Sequence, residues 1–62
     1  MIYEISAYEN VKKVKDHIPK NSKIIGESHS WFLIETSMKW DAVREHFEGL
    51  AAVSKRTRKS IL

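Results

Sequence analysis

The chain contains no cysteine in its 62 residues, and that absence constrains the fold more than any motif does. A chain of this length buries only about 60% of the surface that its unfolded form exposes, so small domains often reinforce a marginal core with disulfides, a metal or self-association. Without cysteine, disulfides and thiolate zinc sites are excluded. His17, His29 and His46 fall in three separate segments with no metal-ligand spacing between them, so no metal and no other cofactor is expected. A single small core remains, and a homodimer, formed through a bare sheet face or an edge strand, is the most economical reinforcement.

Hydrophobic periodicity predicts the elements around that core. Residues 1–8 alternate, with Tyr3, Ile5 and Ala7 on one face and Ile2, Glu4 and Ser6 on the other, the period of a strand. Ser6 and Glu9 have the spacing of a capping box, which predicts a helix after them with Val11, Val14 and Ile18 on its inner side. Pro19 ends that helix and Asn21 favours a turn. A second strand is predicted over 22–27. A third over 30–36 is the strongest strand signal, because aromatic and β-branched residues dominate it. Ser28 and His29 form the hairpin between them. Thr36 and Ser37 offer an N-cap, and Trp40, Val43, Phe47 and Leu50 then recur on one helical face, with Gly49 placed to end the helix. Residues 51–56 predict a last short strand.

The order β-α-β-β-α-β predicts an α+β fold, a minimal ferredoxin-like sandwich with two helices on one face of a four-stranded antiparallel sheet. The opposite sheet face must then be polar or covered by a partner. If Phe32 and Ile34 lie under the helices, Trp31, Leu33 and Glu35 occupy that helix-free face, and Trp31 is the candidate anchor for a partner. The opposite register would make Trp31 core.

Charge is unevenly distributed. Residues 1–54 carry seven Lys/Arg and eight Asp/Glu, whereas 55–62 carry Lys55, Arg56, Arg58 and Lys59 and no acid. We therefore divide the chain into one α+β domain, 1–54, and a basic C-terminal tail, 55–62. Those four cations could neutralise phosphates, although without interleaved aromatic residues any nucleic-acid binding would be mainly nonspecific. The longest apolar run, Trp31-Phe32-Leu33-Ile34, is far short of the roughly 18 residues that span a membrane. No membrane role is expected, and the cytoplasm is the expected compartment.

Catalytic patterns are absent. Glu4 and Glu9, or Asp41 and Glu45, could in principle do acid–base work. Asp41 and Glu45 share their surface with Arg44 and Glu48, which reads as an ordinary solvated helix face. No Ser-His-Asp ordering, phosphate loop or metal box accompanies them, so no enzyme is expected.

The run Ser30-Trp31-Phe32-Leu33-Ile34-Glu35-Thr36-Ser37, followed by Asp41-Ala42-Val43-Arg44-Glu45, resembles the matching stretch of small ferredoxin-like proteins related to the CRISPR spacer-acquisition nuclease family. The first strand, ending Ala7-Tyr8-Glu9, is similar to the strand of that family that ends in Tyr-Asp. The resemblance covers about half the chain. It implies a ferredoxin-like fold and a homodimer that sometimes holds or cleaves nucleic acid. Glu9 stands where the family has its metal-binding Asp, and the family's extra C-terminal strand is lacking, so the cleavage activity does not carry over. The expectation is a non-catalytic regulatory or inhibitory protein that docks on a macromolecule, most readily a protein. Inhibitors of host or defence machinery carried by phages and mobile elements have this size. The alternative is a nucleic-acid-binding protein acting through its basic tail.

Overall fold

The computed structural model describes residues 1–57. Six elements follow in order: β1 (Ile2–Ala7), α1 (Val11–Asp16), β2 (Lys23–Glu27), β3 (Trp31–Glu35), α2 (Trp40–His46) and β4 (Ala51–Arg56). The strands form one antiparallel sheet in the order β2-β3-β1-β4, the ferredoxin-like arrangement that the element order predicts. β1 and β3 occupy the centre, and they carry the densest apolar alternation. β2 and β4 form the edges.

Register decides which face each side chain takes, because directly opposed residues share a face. Tyr3 opposes Ile34 and Lys55, and Ile5 opposes Phe32 and Val53. Together with Val14 of α1 and with Val43 and Phe47 at the end of α2, these residues make the core; Tyr3, Ile5, Phe32, Ile34, Val14, Val43 and Phe47 are all buried. Val11, Ile18, Met38, Trp40, Leu50 and Val53 pack around it. The helices therefore lie on the Tyr3–Ile5–Phe32–Ile34 side of the sheet.

Both helices begin later than their sequence signals suggest. Ser6 stays within β1, and Asn10 caps α1 by accepting a hydrogen bond from the Lys13 amide at 3.0 Å. A side chain committed to the ladder cannot also turn the chain, so the next Asx residue takes the cap. Likewise Thr36 and Ser37 precede α2 without capping it: the N-cap is Lys39, which makes no side-chain cap bond. Thr36 Oγ1 instead accepts from the Met38 amide at 3.2 Å, shaping the turn that leads into the helix. α2 ends at His46, with Gly49 two residues past its C-cap at φ +79, a backbone conformation that side chains with a Cβ rarely adopt. Leu50 consequently packs on the core from the loop and not from the helix.

The two edges differ. β2 carries a bulge at Ile25, since Ile24 opposes Ile34 while Gly26 already opposes Leu33. β4 pairs with β1 through six consecutive residues, Ala51 to Arg56, without a break.

Candidate partner-binding surfaces

Three surface features stand out, and the first is the helix-free sheet face. Phe32 and Ile34 are buried beneath the helices, so alternation turns Trp31, Leu33 and Glu35 to the opposite face, where each is half-buried. Register places Ser6 beside Trp31, Glu4 and Gly26 beside Leu33, and Ile2 and Lys23 beside Glu35. Gly26 matters here, because a Cβ on it would lie 3.3 Å from Leu33 Cδ1. Its bare backbone leaves room for the Leu33 side chain. On the β4 side, Glu4 and Arg56 form an ion pair at 3.4 Å. The face thus combines a tryptophan and a leucine with hydroxyls and charges of both signs. No helix covers it among the described residues.

The second feature surrounds Trp40. Its ring stacks on Tyr3, with centroids 6.1 Å apart and planes 22° apart. Arg44 lies 5.6 Å and Lys55 Nζ 5.1 Å from the ring centroid, so one indole draws together a cation from α2 and one from β4. Beside it is a mainly apolar hollow of about 460 Å³, lined by Met1, Ile2, Tyr3, Lys39, Trp40, Lys55, Arg56 and Thr57. Tyr3 is fixed at its inner wall, where its hydroxyl donates to the Met38 carbonyl at 2.8 Å. Burial pushes that phenol above its ordinary pKa.

Of the four basic residues singled out in the sequence, Lys55 and Arg56 belong to β4, opposite Tyr3 and Ile2 of β1. They project to opposite faces, Lys55 toward the helices and Arg56 toward the helix-free side. Arg58 and Lys59 lie outside the described residues. The ladder therefore holds half of the basic cluster.

The third feature escaped sequence reasoning. His17 and His46, at the C-terminal ends of the two helices, meet with ring centroids 4.4 Å apart and planes tilted by 31°. Each ring contacts Phe47 edge-on. His17 Nε2 donates to the His46 carbonyl at 2.9 Å and His46 Nε2 to the His17 carbonyl at 2.7 Å. Since a carbonyl can only accept, each Nε2 carries a proton. No local pattern could reveal a pair that lies 29 residues apart in sequence. His29 stays exposed at the β2–β3 hairpin, 3.4 Å from the Ser28 hydroxyl.

The carboxylates do not assemble. Glu9 lies just beyond β1 in a shallow hollow with Tyr8, Asn10, Lys13, Gly49 and Leu50. Asp41, Glu45 and Glu48 line an open surface with Arg44. Among the described residues, no group of three His, Asp or Glu side chains is placed to hold a metal ion. None of their helices is long and apolar enough to cross a membrane. No protein-family model matches the sequence, and no curated protein or solved structure matches it.

Proposed function

We propose that this protein is a non-catalytic regulatory or inhibitory module that docks on a partner protein through the helix-free face of its sheet, with Trp31 as the anchor. The observation that carries this reading is the placement of Trp31 and Leu33 together on that face, half-buried, with Ser6 beside Trp31, Glu4 beside Leu33, and Ile2, Lys23, Glu35 and Arg56 in the row beyond. An aromatic anchor desolvated at the centre of a polar rim is the arrangement in which few residues dominate binding. The test compares wild-type protein, Trp31→Ala and a variant lacking residues 58–62 as baits in the native host, followed by mass spectrometry. A partner retained by the truncated chain and lost by Trp31→Ala supports the reading. Equal recovery by all three baits refutes it.

A second reading has its own support. Lys39, Lys55 and Arg56 border the hollow beside Trp40, and with Arg58 and Lys59 they could form a phosphate-binding arm. Four phosphate contacts by Lys55, Arg56, Arg58 and Lys59 would make the log–log salt slope on duplex DNA steeper by up to about 3.6. Changing the four to Ser should then flatten it by that amount. Wild-type protein with no measurable affinity for duplex DNA or RNA at low salt would remove this reading.

A further inference from the structure

We infer that the outer edge of β4 is a strand-addition site for an extended acidic peptide segment of the partner. This inference rests on reading the chain as a protein-binding module and names the chemistry of a segment that the module would hold.

Parity along the ladder shows which main-chain groups are free. The Tyr8 amide donates to the Leu50 carbonyl, and the Ala7 amide donates across the other side of β1 to the Ser30 carbonyl. In an antiparallel ladder such bonds alternate. Even-numbered residues of β1 therefore bond to Leu50, Ala52, Ser54 and Arg56, while Ala51, Val53 and Lys55 turn their main-chain groups to the outer edge. The Ala51 amide is used by the Phe47 carbonyl, and the Lys55 carbonyl accepts from the Arg56 guanidinium at 3.2 Å. Among the described residues, the amide and carbonyl of Val53, the amide of Lys55 and the carbonyl of Ala51 are left without a hydrogen-bond partner along an unbroken strand. Such an edge is a template for another strand. The β2 edge is not equivalent, because its bulge at Ile25 breaks the spacing.

Charge selects the occupant. Arg44 borders the outer side of β4 with Ala51, Ala52 and Val53, and Lys39, Lys55 and Arg56 border its far end. Among the described residues Arg44 is matched by Asp41, Glu45 and Glu48, whereas at the far end Lys39 and Lys55 face only Glu4, already paired with Arg56. The Lys55 end is therefore where acidic side chains are favoured. Side chains of an added strand alternate between the two faces. On the helix side they would meet Arg44 and Lys55, both held against Trp40, and on the other side Arg56. Ala51, Ala52 and Ser54 are small enough not to obstruct the approach. A second copy of this chain fits less well, because pairing β4 with itself brings Arg44 and Lys55 of one copy toward those of the other, a like-charge contact that opposes association.

The probe is a capped octapeptide of alternating Glu and Val, titrated into the full chain and followed by amide chemical shifts. Three controls accompany it: the Lys-Val counterpart, the Glu-Val peptide N-methylated at alternate amides, and the Val53→Pro variant. Proline at position 53 removes an outward N–H without touching the bonds to β1. The expected result is binding that shifts the Val53 and Lys55 amides and weakens as salt rises. N-methylation in the edge-facing register should cost about tenfold or more in affinity, and the Lys-Val peptide should bind at least as much more weakly. Because Val53 also packs on the core, the N-methylated peptide on wild-type protein keeps the test valid if Val53→Pro fails to fold. The inference is overturned if the Glu-Val peptide does not bind, if N-methylation changes nothing, or if sedimentation shows β4 already occupied by a second copy. Loss of peptide binding with a Trp31-dependent partner intact refutes only the edge site. Peptide binding without any Trp31-dependent partner refutes only the sheet-face reading.

Discussion

His17 and His46 bind one another reciprocally, each Nε2 donating to the other's main-chain carbonyl at 2.9 and 2.7 Å over the edge of Phe47. The two carbonyls lie at the C-terminal ends of α1 and α2, where helix carbonyls lack intrahelical donors. Two side chains thus cap two helices and tie them together over the core. In a chain without disulfides, this crossed pair joins the two helices at one end of the sandwich.

Replacing either histidine removes one cap and leaves the other ring without its stacking partner. His17→Ala and His46→Ala should each cost about 1 kcal/mol. The two losses should not be additive: the double mutant should show a coupling of about 0.5 kcal/mol or more. Urea unfolding of the four proteins measures this, and full additivity would mean that the two hydrogen bonds act separately.

Phe47 closes the core beneath those rings and is fully buried. Phe47→Ala should cost about 3–5 kcal/mol through the cavity it leaves, comparable with the whole stability of a small domain. Thermal unfolding followed by circular dichroism should show a collapsed or much lower transition. An unchanged melting temperature would contradict the placement of Phe47 at the centre of the core.

Tyr3 makes stability depend on alkaline pH. Because burial raises the pKa of its phenol in the folded state, the folded protein disfavours the phenolate more than the unfolded chain does. Its contribution is therefore fully present below the ordinary tyrosine value of about 10 and is lost as pH rises through the raised folded value. Tyr3→Phe should be less stable at neutral pH, since the Met38 carbonyl loses its donor. The Phe variant should also lose less stability as pH rises. Urea midpoints of both proteins between about pH 8 and pH 11 give the comparison, and parallel curves would contradict the assignment.

Trp31 should separate binding from stability. It lies half-buried on the helix-free face, away from the Phe32–Ile34 side. Trp31→Ala should therefore cost well under the 3 kcal/mol typical of a core aromatic. Loss of the folded state in this variant would mean that the ring supports the sheet instead of meeting a partner.

Much of the architecture was legible from the sequence alone. Strand side chains alternate with period two, so once Tyr3 and Ile5 in one strand and Phe32 and Ile34 in another read as apolar, their faces follow. Which of the two faces lies under the helices stayed open in the sequence, and the packing of Phe32 and Ile34 into the core decided it, turning Trp31 to the helix-free side. Pro19 and Gly49 mark ends for equally local reasons: one cannot continue a helix, and the other reaches a positive φ. Tertiary structure decided what depends on separations no local pattern encodes. It moved the caps from Ser6 to Asn10 and from Thr36 to Lys39, because the flanking side chains were drawn into the ladder and the turn. The last strand over 51–56 was legible too, but only the packing brought Lys55 of that strand and Arg44 of α2 to the same indole, that of Trp40. It also brought His17 to His46 across the ends of two helices, and it left β4 as the unbroken edge while Ile25 bulged from β2. These relationships arise only when four strands and two helices close around one core, because each joins residues whose proximity is set by packing and not by spacing along the chain.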